Sequence, residues 1–253
     1  MYRAYVAQKK FTVVLNEVSD SQGKEFAAVR LLAGYLSGDT TTKQRILTEV
    51  EKLASQSHEP DEYVHLIIAA QIAYLEQQYD KSLKFLHGSD QNEASGLSVQ
   101  SFLKLDRVDL ARKELKKMQE RDEDATLTQL AQAAIHLSVG AGGEKLDEAF
   151  YIFHDLAAKY GSTPLLSNGQ AVALIARGKF DEAEPLLQEA LEKDNTNAES
   201  LINLMVLAHF QGKGAEVANR YLNQLKDSHP HHPFVEECNA KEREVDRLIQ
   251  SFA

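Results

Sequence analysis

The chain repeats a short pattern at a nearly constant interval, and no other feature of the sequence restricts its fold as much. The segment GKFDEA, which begins at Gly178, matches EKLDEA, which begins at Glu144. Gly212 follows Gly178 at the same interval, and so does Leu225 after Leu191. Weaker copies upstream extend the series, whose equivalent positions are 11, 45, 79, 108, 146, 180 and 214, with a shorter step before 108 and a longer one after it. One structural unit is therefore used several times.

The common interval of about 34 residues is typical of the tetratricopeptide repeat, whose unit is a pair of antiparallel helices joined by a tight turn. Apolar residues recur at helical spacing, and extended apolar/polar alternation is absent. Gly178 and Gly212 suit the left-handed position that ends a first helix. Acidic residues are predicted in the first turn of second helices, where the helix dipole favours them; these are Asp80, Asp109, Asp147 and Asp181. Small residues are predicted where paired helices approach closely; these are Ala111, Ala149 and Ala183.

These features predict an all-α fold, a tetratricopeptide-like α-solenoid of stacked antiparallel helix pairs with a C-terminal capping helix. Residues 1–253 form a single domain in this prediction, because the pairs bury their apolar faces only by stacking. Residue 1 falls partway into the first helix of a pair, so the first repeat is expected to be truncated. The predicted helices are 1–8 and 11–18, 24–37 and 42–55, 61–76 and 79–87, 94–105 and 108–121, 125–138 and 146–159, 164–177 and 180–193, 198–211 and 214–227, and the capping helix 233–252.

Composition excludes several classes of function. The formal net charge is -10, the wrong sign for a general phosphate-binding surface, so no nucleic-acid partner is predicted. Cys238 is the only cysteine, which leaves no internal disulfide and no cysteine-based zinc site. A membrane-spanning helix needs about 20 apolar residues in a row, and the sequence has no such stretch. Any membrane association is therefore expected to come through partners.

Three histidines form the only cluster that invites a metal. His229, His231 and His232 lie within four residues of each other, but in a proline-flanked connector without a carboxylate or thiol at ligand spacing. We interpret them as a solvent-exposed linker. The glycine-rich turn 140–143 lacks the Gly-Lys-Ser/Thr ending of a phosphate-binding loop. No catalytic, cofactor-binding or metal-binding residue is therefore predicted, and no cofactor.

One predicted helix concentrates positive charge. Its five cations are Arg112, Lys113, Lys116, Lys117 and Arg121. They fit a contact with membrane headgroups or with an acidic peptide. They also fit a solvated helix face that is neutralised by its acidic neighbours, Glu114, Glu120 and Asp122. Residue types alone leave both interpretations open.

The remaining candidate function is the binding of another protein. In stacked helix pairs the first helices line the concave side, so we looked there for residues that the core does not require. The candidate partner-binding residues in the last two pairs are Asn168, Val172, Ile175, Asn203, Val206 and Phe210. An amide can bond an extended backbone, and the apolar positions can receive apolar side chains. Each of the six also fits a packing role.

Several segments, in a specific order along nearly the whole chain, resemble one family. They are YRAY from Tyr2, LKLDR from Leu103, DLARKELK from Asp109, DEDATLTQLA from Asp122, NGQA from Asn168, LQEAL from Leu187, NRYL from Asn219, QLKD from Gln224 and HPF from His232. Together they resemble the epsilon subunits of the COPI vesicle coat, coatomer. Members of that family usually have further sequence ahead of the region that matches Tyr2.

The resemblance implies a non-catalytic coat subunit. Its helical repeats would bind and stabilise the C-terminal region of the coatomer alpha subunit and, through it, reach the other coatomer subunits. The implied location is cytoplasmic, peripheral on the cytosolic side of Golgi membranes and COPI-coated vesicles. The implied process is Golgi-to-endoplasmic-reticulum retrograde and intra-Golgi transport. No residue role is carried over from the family to this chain.

Two other functions compete with this one. A cytosolic tetratricopeptide adaptor would bind chaperone or other partner peptides on its concave face. To hold an acidic C-terminal peptide it would need Lys, Arg and Asn there, and Val172, Ile175 and Phe210 offer little positive charge. An enzyme would need a convergent set of acid, base or metal ligands, which the sequence does not suggest.

Overall fold

Helices account for the regular structure of the chain. The computed structural model describes residues 1–19, 23–55, 63–140 and 142–252, and over these residues it contains fifteen α-helices and no β-strand. The helices are α1 (Tyr2–Ala7), α2 (Phe11–Glu17), α3 (Lys24–Ser37), α4 (Thr40–Ser55), α5 (Tyr63–Leu75), α6 (Tyr79–Leu86), α7 (Asn92–Lys104), α8 (Val108–Arg121), α9 (Thr126–Val139), α10 (Gly143–Tyr160), α11 (Pro164–Ala176), α12 (Phe180–Lys193), α13 (Ala198–Phe210), α14 (Ala215–Ser228) and α15 (Pro233–Phe252).

The all-α prediction is confirmed. Every predicted helix is present, and each described end lies within three residues of its predicted position. Residues 61 and 62, with which one predicted helix begins, lie outside the described residues. Four of the equivalent repeat positions, Phe11, Tyr79, Val108 and Phe180, are each the first residue of a second helix. The other three positions differ, because α4 begins at Thr40, α10 at Gly143 and α14 at Ala215.

The chain divides into two compact units, Met1–Ile135 and His136–Ala253. In the first unit α1 packs on α2, α3 on α4, α5 on α6 and α7 on α8. Contacts between α3 and α5 and between α5 and α7 stack successive first helices. The largest apolar cluster of this unit includes Val14, Ala33, Ile68 and Ile72, each almost fully buried.

The second unit has the same construction. Helix α11 packs on α10 and α12, α13 packs on α12 and α14, and α11 also contacts α13. The apolar cluster between these helices includes Ala183, Leu187, Leu201 and Leu225. The single domain over residues 1–253 stays a prediction.

Residues with a left-handed backbone conformation follow the ends of first helices, as the sequence predicts. Gly178 and Gly212 have φ angles of 74° and 65°. After α11, the N–H of Lys179 donates to the carbonyl of Leu174 at 2.9 Å, and the N–H of Gly178 donates to the carbonyl of Ile175 at 2.9 Å. These two bonds form a Schellman motif, which satisfies carbonyls that have no partner within the helix.

Three residues other than glycine adopt the same conformation at equivalent places. Lys9, Gln77 and Asp106 have φ angles of 58°, 60° and 58°, and each lies two residues before the start of a second helix. A side chain in this region is strained by its Cβ atom. The turn geometry is therefore repeated even where the glycine is not.

The acidic first-turn positions are confirmed for three of the four predicted residues. Asp80, Asp109 and Asp181 lie in the first turns of α6, α8 and α12. Asp147 does not, because α10 begins at Gly143, three residues before its predicted start, and the first-turn acid there is Glu144. Asp147 instead forms an ion pair with Arg177. The predicted small positions Ala111, Ala149 and Ala183 are all fully buried.

Candidate partner-binding surface

Side-chain caps determine where the two first helices of the second unit begin. Thr163 Oγ1 accepts a hydrogen bond from the N–H of Leu166 at 3.4 Å, and Pro164 occupies the first position of α11. Asn197 Oδ1 accepts a hydrogen bond from the N–H of Ser200 at 3.1 Å at the start of α13. Both caps satisfy N–H groups that have no partner within the helix.

A ladder of polar side chains joins α11 to α13. Asn168 Nδ2 donates to the carbonyl of Pro164 and to Ser200 Oγ, both at 2.7 Å. Asn203 Nδ2 donates to Asn168 Oδ1 at 2.9 Å, and Ser200 Oγ donates to Asn197 Oδ1 at 3.0 Å. Both N–H groups and the oxygen of the Asn168 amide are used in this way. We call this network the α11–α13 ladder.

The close packing of α10 on α11 depends on a glycine that follows the ladder asparagine. A Cβ atom at Gly169 would lie 2.6 Å from the Phe153 ring of α10. Phe153 itself is buried. The aromatic ring therefore occupies the space that any larger residue at position 169 would need, and α11 is held against α10 there.

The end of α13 presents an exposed aromatic ring. Phe210 is 60% exposed and stacks on Phe180, the first residue of α12, with ring centroids 5.5 Å apart and an interplanar angle of 8°. Stacked rings with this separation attract each other. Phe210 is the most exposed of the six predicted partner-binding residues, and its orientation is held by Phe180.

A polar cluster follows directly in the turn after α13. Glu184 accepts hydrogen bonds from Lys213 Nζ at 2.6 Å and from Gln211 Nε2 at 3.1 Å. The hydrogen bond from Lys213, and after it the one from Gln211, hold the pKa of Glu184 below its usual value. This cluster connects the turn that follows Phe210 to α12.

The six predicted residues differ in how accessible they are. Asn168 is buried within the ladder, and Asn203, Val172, Ile175 and Val206 are half-buried. Of these, Ile175 packs against the apolar cluster of the unit. Only Phe210 is largely exposed. Their role in binding a partner stays a prediction.

Two residues of this surface were not singled out from the sequence. Phe180 had served only as a marker of the repeat, and its ring supports Phe210. Leu165, the second residue of α11, is 63% exposed. Leu165 lies seven residues before Val172 and therefore on the same face of α11, and that spacing is the signal by which it can be found.

The five cations of α8 are partly neutralised. Lys117 pairs with Glu114 at 2.8 Å, and Lys116 lies 4.0 Å from Glu120. Burial favours a raised pKa for Glu114, but the hydrogen bonds from Lys117 and Ser95 outweigh it and lower the pKa.

Asp122 lies just beyond the last turn of α8. Its Oδ1 accepts a hydrogen bond from the backbone N–H of Asp124 at 3.1 Å. Arg121 makes two hydrogen bonds: its Nη2 donates to Ser95 Oγ at 2.6 Å, and its Nε donates to the carbonyl of Lys117 at 3.2 Å. The solvated-face interpretation thus describes part of the cluster.

The histidines of the connector make local hydrogen bonds. His232 Nδ1 accepts from the N–H of Phe234 at 3.2 Å, at the start of α15, and His229 Nδ1 lies 2.9 Å from Ser228 Oγ.

In the described parts of the chain, no group of three or more His, Cys, Asp or Glu side chains is placed to hold a metal ion. Within the same ranges, no helix has the length and apolar character needed to cross a membrane.

Comparison with known proteins identifies relatives along the whole chain. A family model described as the coatomer epsilon subunit matches residues 1–253. Coatomer subunit epsilon-1 of Arabidopsis thaliana is 41% identical over 253 residues, which is 100% of this chain and 85% of that protein. The coatomer subunit epsilon of Dictyostelium discoideum is 36% identical over 247 residues, which is 96% of this chain and 82% of that protein.

Solved structures show the same architecture at low sequence identity. A tetratricopeptide repeat protein from Parabacteroides merdae superposes with a TM-score of 0.68 at 14% identity, over 93% of each chain. The APC/C hetero-tetramer Cut9–Hcn1 gives a TM-score of 0.64 at 14% identity, over 90% of this chain and 45% of that one. Likeness at this identity concerns the fold alone, and it confirms the predicted tetratricopeptide-like class.

Proposed function

The chain belongs to the coatomer epsilon subunit family, and from that premise we propose that it binds and stabilises the alpha subunit within the COPI coat. The family makes it a subunit of the coat that acts in vesicle transport. The proposal adds the C-terminal region of the alpha subunit as the direct partner, with the other coatomer subunits reached through it. The family match over residues 1–253 is the observation that carries this proposal.

The proposed role is mechanical. Helix pairs with buried small residues at their contacts form a rigid support, and such repeats bind proteins over extended surfaces. We include in the proposal that the chain is non-catalytic. We also include its recruitment to the cytosolic side of Golgi membranes and COPI vesicles. The proposed process is retrograde Golgi-to-endoplasmic-reticulum and intra-Golgi transport. The predicted single domain, residues 1–253, belongs to the proposal too.

We assign the partner contact to the surface of α11 and α13. Phe210 offers an exposed ring held by Phe180, and Val172, Ile175, Val206 and Asn203 are half-buried beside it on the same two helices. Exposed aromatic residues often contribute most of the binding energy at protein interfaces. Asn168 would act from beneath, by keeping α11 and α13 in register through the ladder.

Co-purification with the C-terminal region of a coatomer alpha subunit tests the proposal. We expect a stable one-to-one complex with the unchanged chain, and a weaker complex with Phe210→Asp. Tyr151→Asp is a matched control, because Tyr151 is also 60% exposed in the same unit but lies on α10. If the folded chain does not bind, the alpha-subunit assignment is wrong. If Tyr151→Asp weakens binding as much as Phe210→Asp, the contact lies elsewhere.

A further inference from the structure

The last helix carries a row of large apolar side chains on its surface. Val245, Leu248, Ile249 and Phe252 are 54%, 58%, 62% and 88% exposed. Steps of three, one and three residues place all four on one face of an α-helix. We call these four residues the tail stripe. Exposed apolar surface that is continuous in this way marks interaction sites.

The tail stripe continues a face that is packed at the other end of the same helix. Val235 is 1% exposed in the apolar cluster of the second unit, and Phe234 packs against that cluster. Lys226 Nζ of α14 lies 3.1 Å from Glu242 Oε1 of α15. Steps of eleven and seven residues from Phe234 to Val245 and Phe252 return to one side of the helix. The start of α15 is therefore anchored, and its apolar face extends beyond the anchor.

The width of the tail stripe fits a helix as its occupant. Cys238, Val245 and Phe252 are spaced seven residues apart, and Leu248 lies three residues after Val245. These are the a and d positions of a heptad, the narrow apolar row through which one helix packs along another. The only interruption is Lys241, at the d position of the preceding heptad.

Acidic residues border the tail stripe on both sides. Because successive residues of an α-helix are about 100° apart, Glu244 lies about 40° beyond Leu248 on one side of the stripe, and Asp246 lies about 60° beyond Ile249 on the other. Of the basic residues nearby, Arg243 and Arg247 are about 200° away from Val245 and so lie on the opposite face of the helix. The third, Lys241, lies within the row and is paired with Glu237 at 2.6 Å. These charged residues are all exposed.

This charge pattern distinguishes between occupants. A second copy of α15 would bring its own Glu244 and Asp246 against the same residues, and like charges across such a contact are unfavourable. An anionic membrane surface would be repelled in the same way. A helix whose apolar row is bordered by Lys or Arg would be complementary in both shape and charge.

We propose that the tail stripe docks an amphipathic helix of another protein, one whose apolar face is bordered by basic residues. The site is separate from the surface of α11 and α13 and goes beyond the proposed contact with the alpha subunit. The tail stripe is bordered by a negative charge on each side, Glu244 and Asp246. These charges give the site selectivity, because a helix with acidic borders would be repelled on both sides.

Binding of two synthetic helical peptides to the full chain tests this. The peptides are about three heptads long, share one Leu/Ile row and differ only in having Lys or Glu along its borders. With labelled peptides and fluorescence anisotropy, we expect the Lys peptide to bind at least about tenfold more tightly than the Glu peptide. Equal affinity for the two peptides would overturn the proposal.

Variants of α15 locate the site. Leu248→Glu with Ile249→Glu should weaken binding of the Lys peptide by about tenfold or more. Ala240→Glu with Gln250→Glu adds the same charge on the opposite face of α15 and should leave binding unchanged. Glu244→Lys with Asp246→Lys should make the chain prefer the Glu peptide. Unchanged preference in that variant would contradict the assignment of the borders.

Two further measurements decide between occupants. Sedimentation of the chain alone should show no association that depends on Leu248 and Ile249; if it does, the occupant is a second copy. Flotation with phosphatidylcholine vesicles containing about one-fifth phosphatidylserine should show no vesicle binding that depends on Leu248 and Ile249; if it does, the occupant is a membrane.

All variants should retain helicity and thermal stability, because the altered residues are exposed. They should also still bind the alpha-subunit region, so failure of one proposal does not affect the other.

Discussion

Asn203 donates a hydrogen bond of 2.9 Å to the side-chain oxygen of Asn168, 35 residues earlier in the chain. About one repeat separates the two residues, so the bond joins the same level of two successive first helices. Asn168 extends the connection to Ser200 and to the carbonyl of Pro164. The two helices that carry the proposed partner surface are therefore fixed relative to each other by polar groups as well as by apolar packing.

Replacement of Asn168 by alanine should reduce the free energy of unfolding by about 1–3 kcal/mol, because buried ladder groups lose their partners. Urea denaturation measures this loss. Asn223→Ala is the control, since Asn223 is an exposed asparagine of α14, and it should change stability by less than about 0.5 kcal/mol. Equal losses for the two variants would mean that the ladder contributes no stability.

Gly169→Ala should destabilise the chain by about 1–3 kcal/mol through overpacking against the Phe153 ring. Gly143→Ala is the matched control, because Gly143 is also helical and a Cβ atom there would meet nothing within 4 Å. Adding Phe153→Leu to Gly169→Ala should recover part of the loss, which a double-mutant cycle detects as coupling of at least about 0.5 kcal/mol. Strict additivity would show that the two residues do not compete for space.

Gln77→Gly should stabilise the chain by up to about 1 kcal/mol, because Gln77 has a φ angle of 60° and glycine removes the Cβ strain of that conformation. Gln78→Gly should have the opposite effect, because Gln78 has a φ angle of -87° and gains nothing from glycine there. Thermal unfolding of both variants checks this pair. A lower melting temperature for Gln77→Gly would argue against a strained turn after α5.

Glu184→Gln should reduce stability by at most about 1 kcal/mol near neutral pH, because it weakens a partly exposed pair with Lys213. The pKa of Glu184 is lower in the folded chain than its usual value of 4.5. The ionised carboxylate therefore contributes stability above that value, and the contribution is lost as the pH falls through the folded pKa.

The difference in free energy of unfolding between the unchanged chain and Glu184→Gln should thus shrink as the pH is lowered from neutral to below 4.5. Urea denaturation at the two pH values measures it, and Glu216→Gln on α14 controls for the loss of one negative charge. A difference that stays constant between the two pH values would show that the hydrogen bonds of Glu184 do not depend on its ionisation.

Prediction from the sequence succeeds where the structure is local. The ends of α12, 180 and 193, are those predicted, and Gly178 has the left-handed conformation expected of it. A helix is held by hydrogen bonds between residues four positions apart, so a short window contains nearly all the information that its ends require. Where a local signal was ambiguous, as in the glycine-rich segment before α10, the predicted start was three residues late.

The accessibility of the candidate surface is a different matter. Asn168 and Phe210 were equally plausible partner contacts by residue type and helical position, yet one is 7% and the other 60% exposed. Ser200 and Asn203 bond the buried side chain of Asn168, whereas the contact given for the ring of Phe210 is the stacked ring of Phe180. All three neighbours lie on other helices, about one repeat away along the chain. The sequence pattern within α11 or α13 does not indicate which residues of other helices will be its neighbours.

By itself, then, the sequence determined the period, the helices and the family of this chain, because these depend on local periodicity and on the order of its segments. Tertiary structure alone decided which polar groups are consumed in the α11–α13 ladder, which residues such as Gln77 adopt a strained turn, and which apolar face of α15 is left exposed. Those properties arise from packing between helices, where each side chain's surroundings are supplied by residues that are distant along the chain.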